Sequence, residues 1–144
     1  MKRVLDSSAI ALILKRLGEE SIEVLEESVT ASLATYELGN VIWKEYALRR
    51  LINLEEAMRR AEQIAKILEV VQLEDIKSAE DLKEVMRLAG RLDLTFYDAS
   101  YLNLAKKMGI PLVTEDKELL KKARNISVEA LNVDSFLKSL HRRK

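Results

Sequence analysis

An α/β fold in three α/β/α layers, with a central parallel sheet of four to five strands, is what the sequence predicts. Three observations carry it. Short apolar runs with β-branched residues recur along the chain, longer segments with helical apolar spacing separate them, and the breaks between are brief. Strands alternating with helices give a parallel sheet, and both faces of such a sheet need covering by helices.

Val4-Leu5 is a short apolar run ending at Asp6 and predicts the first strand. Ser7 to Leu17 carries Ile10, Leu12, Ile13, Leu14 and Leu17 at helical spacing and is stopped by Gly18. Glu19 to Glu27 predicts a second short helix, and Val29 to Leu33 a second strand. From Ala34 to Arg50 the positions of Leu38, Val41, Ile42, Tyr46 and Leu48 are helical again. Asn53 with Glu56 three residues on fits a capping box and opens a helix to about Leu68. Val70-Val71 is read as a brief strand or a helix end. Ser78 with Asp81 starts the next helix, towards Leu92, and Thr95 with Asp98 another, closed by Gly109. Ile110 to Thr114 predicts a buried strand with Pro111 at its entry, where a missing N–H is tolerated. A helix over Asp116 to Ala123, a strand over Ile126 to Leu131 and a terminal helix capped by Asp134 complete the chain.

At 144 residues, with 48% apolar and 33% charged side chains, the sequence suits one globular domain. We place it over residues 1–140, with a short basic tail at 141–144. The absence of Cys excludes disulfides, thiolate zinc sites and cysteine nucleophiles. A single His, His141, excludes multi-histidine metal sites and argues against a Ser-His-Asp triad. No secretory signal and no bilayer-spanning run is visible, so a cytoplasmic protein is expected. The 24 basic residues balance the 24 acidic ones, which gives no overall pull towards nucleic acid.

That balance conceals a local arrangement. Asp6 directly follows the first strand, and Asp116 lies two residues past the Leu112-Val113-Thr114 run. Glu37 and Asp98 sit in the first turns of two helices. In a parallel sheet all four project from the carboxyl edge, where α/β proteins bind ligands. Only Asp116 has an adjoining cation, Lys117. Carboxylates converging without positive partners repel one another, and a hard divalent ion relieves the repulsion. The chemistry that follows is metal-assisted phosphodiester hydrolysis. Acids are also favoured at helix starts because they complement the dipole, so each of the four alone is equally read as a cap.

The same residues resemble, in order and context, the PIN-domain family of metal-dependent ribonucleases, in particular VapC-type toxins of prokaryotic toxin–antitoxin pairs. The matching pieces are Val4-Leu5-Asp6-Ser7-Ser8-Ala9, then Glu37 with Asn40, then Tyr97-Asp98-Ala99-Ser100-Tyr101-Leu102, and finally Pro111-Leu112-Val113-Thr114-Glu115-Asp116. The resemblance implies a PIN-like fold in which Asp6, Glu37, Asp98 and Asp116 hold Mg²⁺ or Mn²⁺. It also implies a supporting hydroxyl at Thr114, a supporting Asn40, an RNA substrate and a small antitoxin partner. Apolar faces on the first helices exceed what one sheet face needs, which suggests a homodimer or a groove for an antitoxin peptide. Trp43 is expected in the core or at a dimer interface, and Asp93, Glu115 and Glu118 are read as solvated neighbours of the quartet.

Two alternatives stand beside this reading: a binding or scaffold module on the same fold, and a non-toxin RNA-processing nuclease. A receiver-like or phosphatase-like domain is disfavoured, because Asp6 is followed by Ser7-Ser8 and not by the second acid those sites require.

Overall fold

Successive side chains of a strand face opposite ways, and here Val4 and Leu5 enter two different cores. They belong to β1 (Arg3–Leu5), the central strand of the sheet in a computed structural model that describes residues 2–141. After it come α1 (Ser7–Leu17), a 3₁₀ turn (Gly18–Glu20), α2 (Ser21–Leu25), β2 (Ser28–Thr30) and α3 (Leu33–Trp43), which runs into a π-helical turn (Lys44–Leu48). The middle of the chain forms α4 (Leu54–Val70), β3 (Gln72–Leu73), α5 (Ala79–Leu92) and α6 (Phe96–Met108). It ends with β4 (Leu112–Val113), α7 (Lys117–Arg124), β5 (Ala130–Leu131) and α8 (Val133–His141).

The sheet has five parallel strands in the order β3-β2-β1-β4-β5, as the sequence predicts. Val4, Val29 and Leu112 pack with α5, α6 and α7 on one face. Leu5 and Val113 pack with α1, α3, α4 and α8 on the other. The chain winds one way from β1 to β3 and then crosses to β4, so the topological switch lies between β1 and β4. The carboxyl ends of those two strands carry Asp6 and Asp116.

The helix starts follow local chemistry closely. Asp6, Asn53, Ser78, Thr95 and Asp116 each accept a backbone N–H in the first turn of the helix they open. The box at Asn53 is only half made, because Glu56 bonds Arg59 and Arg60 instead of turning back. The terminal helix is capped by Asn132, whose Oδ1 accepts from Ser135 N at 2.8 Å. Asp134, expected in that role, pairs with Arg16 at 2.8 Å.

Other boundaries shift for tertiary reasons. Val70 ends α4, and the brief strand follows it at Gln72–Leu73, held by pairing to β2. The last strand is confined to the two residues that register with β4. Helix α8 continues through His141, while residues 142–144 of the expected tail lie outside the described residues. Trp43 is 49% exposed, so it does not fill the core; α3 turns Ala34 and Leu38 inward instead. No helix among the described residues is long and apolar enough to cross a membrane.

Candidate functional site

Asp6 is the most constrained acid, only 4% exposed. Its Oδ1 accepts from Ala9 N at 2.9 Å and from Ser8 Oγ at 2.7 Å. Thr114 Oγ1 donates to its other oxygen. That hydroxyl also accepts from Asp116 N at 3.1 Å, so one buried threonine ties the ends of β1 and β4 together. Asp116 caps α7, its Oδ1 accepting from Glu118 N at 2.9 Å and Leu119 N at 3.1 Å. The two acids therefore have fixed places on either side of the switch point.

Asp98 and Glu37 approach from the flanking helices. Thr95 Oγ1 accepts from Asp98 N at 3.1 Å, and the Thr95 side chain also favours the charged Asp98 carboxylate. Glu37 is half-buried on α3 and accepts from Tyr101 Oη at 2.7 Å. Tyr101 stands three residues after Asp98 on α6 and is almost wholly buried.

The electrostatics show the four acids acting as a group. Burial pushes the Asp98 carboxyl up, and the charges of Asp116 and Glu37 push it further. Burial also raises Asp6; its three hydrogen bonds counter this, and the Asp98 charge adds to it. The Tyr101 hydroxyl is held far above its ordinary range by burial first and then by its bond to Glu37, so it stays protonated and donates to Glu37. Lys122 is the cation that offsets Asp98 in part, and its ammonium is anchored 3.0 Å from the Asp93 carbonyl.

The structure therefore brings Asp6, Glu37, Asp98, Asp116 and Thr114 to one edge. Asn40 is exposed on α3, one turn beyond Glu37. Of the neighbours read as solvated, Glu115 is exposed as expected and also accepts from Val133 N at 2.8 Å at the start of α8. Glu118 is exposed, 3.7 Å from Lys122. Tyr101, Ser8 and Lys122 were not assigned to the site from sequence. For Tyr101 the signal was available, since three residues after Asp98 is the same helix face.

All the donors here are hard oxygens in a surplus of negative charge, a set that fits a divalent cation in kind. Among the described residues no three acidic side chains are gathered tightly enough to chelate an ion as they stand.

A parallel α/β sheet with clustered acids at its switch point defines a class of acid-site domains. Comparison with known proteins resolves the class: residues 3–125 match the PIN domain, and the chain belongs to that family. It is 35% identical over 127 residues to a protein of Pyrobaculum aerophilum named Ribonuclease VapC3, covering 85% of this chain and 95% of the relative. It is 37% identical over 131 residues to Exonuclease VapC9 of the same organism, covering 90% and 92%. The crystal structure of PAE2754 from Pyrobaculum aerophilum superposes with a TM-score of 0.77 at 32% identity, covering 99% of each chain.

Proposed function

We propose that the chain is a VapC-like endoribonuclease, working as one domain over residues 1–140, that hydrolyses RNA phosphodiester bonds with Mg²⁺ or Mn²⁺ held by Asp6, Glu37, Asp98 and Asp116. The observation that carries this reading is the mutual charge repulsion at Asp98 from Asp116 and Glu37, beside a buried Asp6. The chemistry supplied by a bound divalent ion is Lewis-acid activation of water and of the phosphoryl group. Thr114 and Ser8 hold Asp6 in one orientation, and Tyr101 aims Glu37 at the cleft as a ligand or as the group that orients the attacking water.

Both relatives carry the VapC name, which supports a toxin paired with a small antitoxin in the cytoplasm. Tyr36, Val41, Trp43, Leu48 and Leu51 form an exposed apolar stretch along α3 and beyond, which supports a homodimer or a docked antitoxin segment. The names ribonuclease and exonuclease also define the test. With RNA labelled at both ends, we expect internal cuts that stop in EDTA and return with Mg²⁺ or Mn²⁺. Activity that survives EDTA defeats the metal reading, and release of terminal mononucleotides alone defeats the internal-cleavage reading.

Tyr101→Phe removes one oxygen and leaves the ring packed. The expected result is a loss of about 10–100-fold in kcat or in ion affinity, the usual effect of losing a partner that orients a ligand. Steady-state kinetics with a metal titration measures it. Unchanged values would show that Glu37 does not need its tether.

A further inference from the structure

Beside the acidic edge, between α6 and the segments that follow β2 and β3, lies a groove of about 360 Å³. That is near the lower end of the roughly 300–1,000 Å³ usual for small-molecule sites. Leu33, Phe96 and Leu104 give it apolar walls. Asn103 also lines it, is only 7% exposed, and its side-chain amide bonds to no protein group among the described residues. Among the described residues the Asn103 amide atoms are not sealed from solvent, so they open onto the groove, where water or a ligand can bond them.

We propose that this groove is a nucleobase pocket that holds one RNA base next to the scissile bond and that Asn103 reads the edge of that base. The inference rests on the ribonuclease reading above and adds to it how the substrate is selected. An amide presents donor and acceptor side by side, the complement of a base edge. Tyr97, 59% exposed at the rim, offers a ring on which a base stacks. Tyr97 and Ser100 lie within two residues of Asp98 but on another face of α6, and the groove opens after β2 and β3 at the same carboxyl edge, so a base seated here belongs to a nucleotide flanking the one at the acids. The rim carboxylates are engaged, Asp75 by Ser32 and Asp81 by Lys107, so they admit a neutral base while opposing a phosphate run. An apolar peptide side chain would leave Asn103 unpaired.

The test has two arms. In the first, the metal-free protein is titrated separately with adenosine, guanosine, cytidine and uridine. The Asn103 side-chain amide signals, identified by their loss in Asn103→Leu, are followed by NMR. In the second, wild type, Asn103→Leu and Tyr97→Ala cleave RNA randomised around the cut. At least one nucleoside should shift the Asn103 signals. Asn103→Leu should flatten the base preference beside the cut by about tenfold, within the range a bidentate contact gives. Tyr97→Ala, a surface change that spares the core, should raise KM by about fivefold or more with kcat kept. Asn103 signals unmoved by every nucleoside, or moved only by an apolar peptide, overturn the proposal. So does a base preference unchanged in Asn103→Leu, even if cleavage itself stands. Nucleoside shifts in a protein that cuts no RNA keep the pocket and remove the ribonuclease.

Discussion

Asp6→Asn is expected to lower RNA cleavage by at least about 100-fold while melting no lower than the parent chain without divalent ions. The two halves have one cause. Asparagine keeps an oxygen for Ala9 N and Ser8 Oγ, so the cap of α1 survives, and the Thr114 hydroxyl can turn to accept from the new amide. What disappears is a negative charge that burial disfavours. A carboxyl whose folded-state pKa is raised binds its proton more tightly folded than unfolded. Its contribution to stability therefore falls as pH rises from the unfolded value through the raised one, and the full penalty is present above the raised one. The amide carries no such penalty. Asp6 would act through the divalent ion it helps to hold, and losing one element that stabilises charge developing on the phosphoryl oxygens is ordinarily worth about 10²–10³ in rate. Initial rates, with thermal melts in EDTA between about pH 4 and 8, check both halves. Cleavage within tenfold of the parent would mean the acid is not used, and a melting point several degrees lower would mean it is a structural cap.

The contrast between Asp6 and Asp134 shows how much was legible in the sequence. Both are acids at a helix start, and local chemistry treats them alike. Asp6 is distinguished by the apolar run before it, which forces it into a buried strand end, where an unused charge is costly. Asp134 has no such constraint and turns to Arg16, a partner 118 positions away in sequence. The parallel sheet, its strand count and most helix starts follow from neighbours within four residues, and so they could be read. Apolar patterning alone hides Tyr101, whose partner Glu37 is 64 residues distant, and only its place three residues after Asp98 points to the site. Read by periodicity it is one more core residue of α6, and its ring does pack there. The hydroxyl at the end of that ring is what reaches the site. Asn40, one turn from Glu37 on the same face of α3, stands at the exposed margin of that face. Spacing on one helix says which residues share a face, and only packing says how far round the helix the site extends.

Saturation with Mn²⁺ or Mg²⁺ at about 100 times Kd should stabilise the parent chain by about 2.7 kcal/mol. For a chain of this size that is a rise in melting temperature of roughly 5–10 °C. Asp98→Asn should reverse the order. Without the ion the variant should melt above the parent, because burial, Asp116 and Glu37 all disfavour the charged carboxylate, and Thr95 and Lys122 offset them only in part. With the ion it should melt below, having lost a ligand that draws the others together. The proton and the ion compete for the same oxygens, so the rise should shrink as pH falls into the elevated range where Asp98 takes up its proton. Exposed carboxylates that pair with protein groups behave differently: Asp75 and Glu84 are held below their ordinary values by Ser32 and by Arg87, and their contribution is lost only at lower pH. Sodium chloride at matched ionic strength separates binding from screening, since screening acts on all charges and does not saturate. A parent and an Asp98→Asn variant that respond equally to Mn²⁺ would place the ion away from this edge, and the repulsion at Asp98 would then need another function.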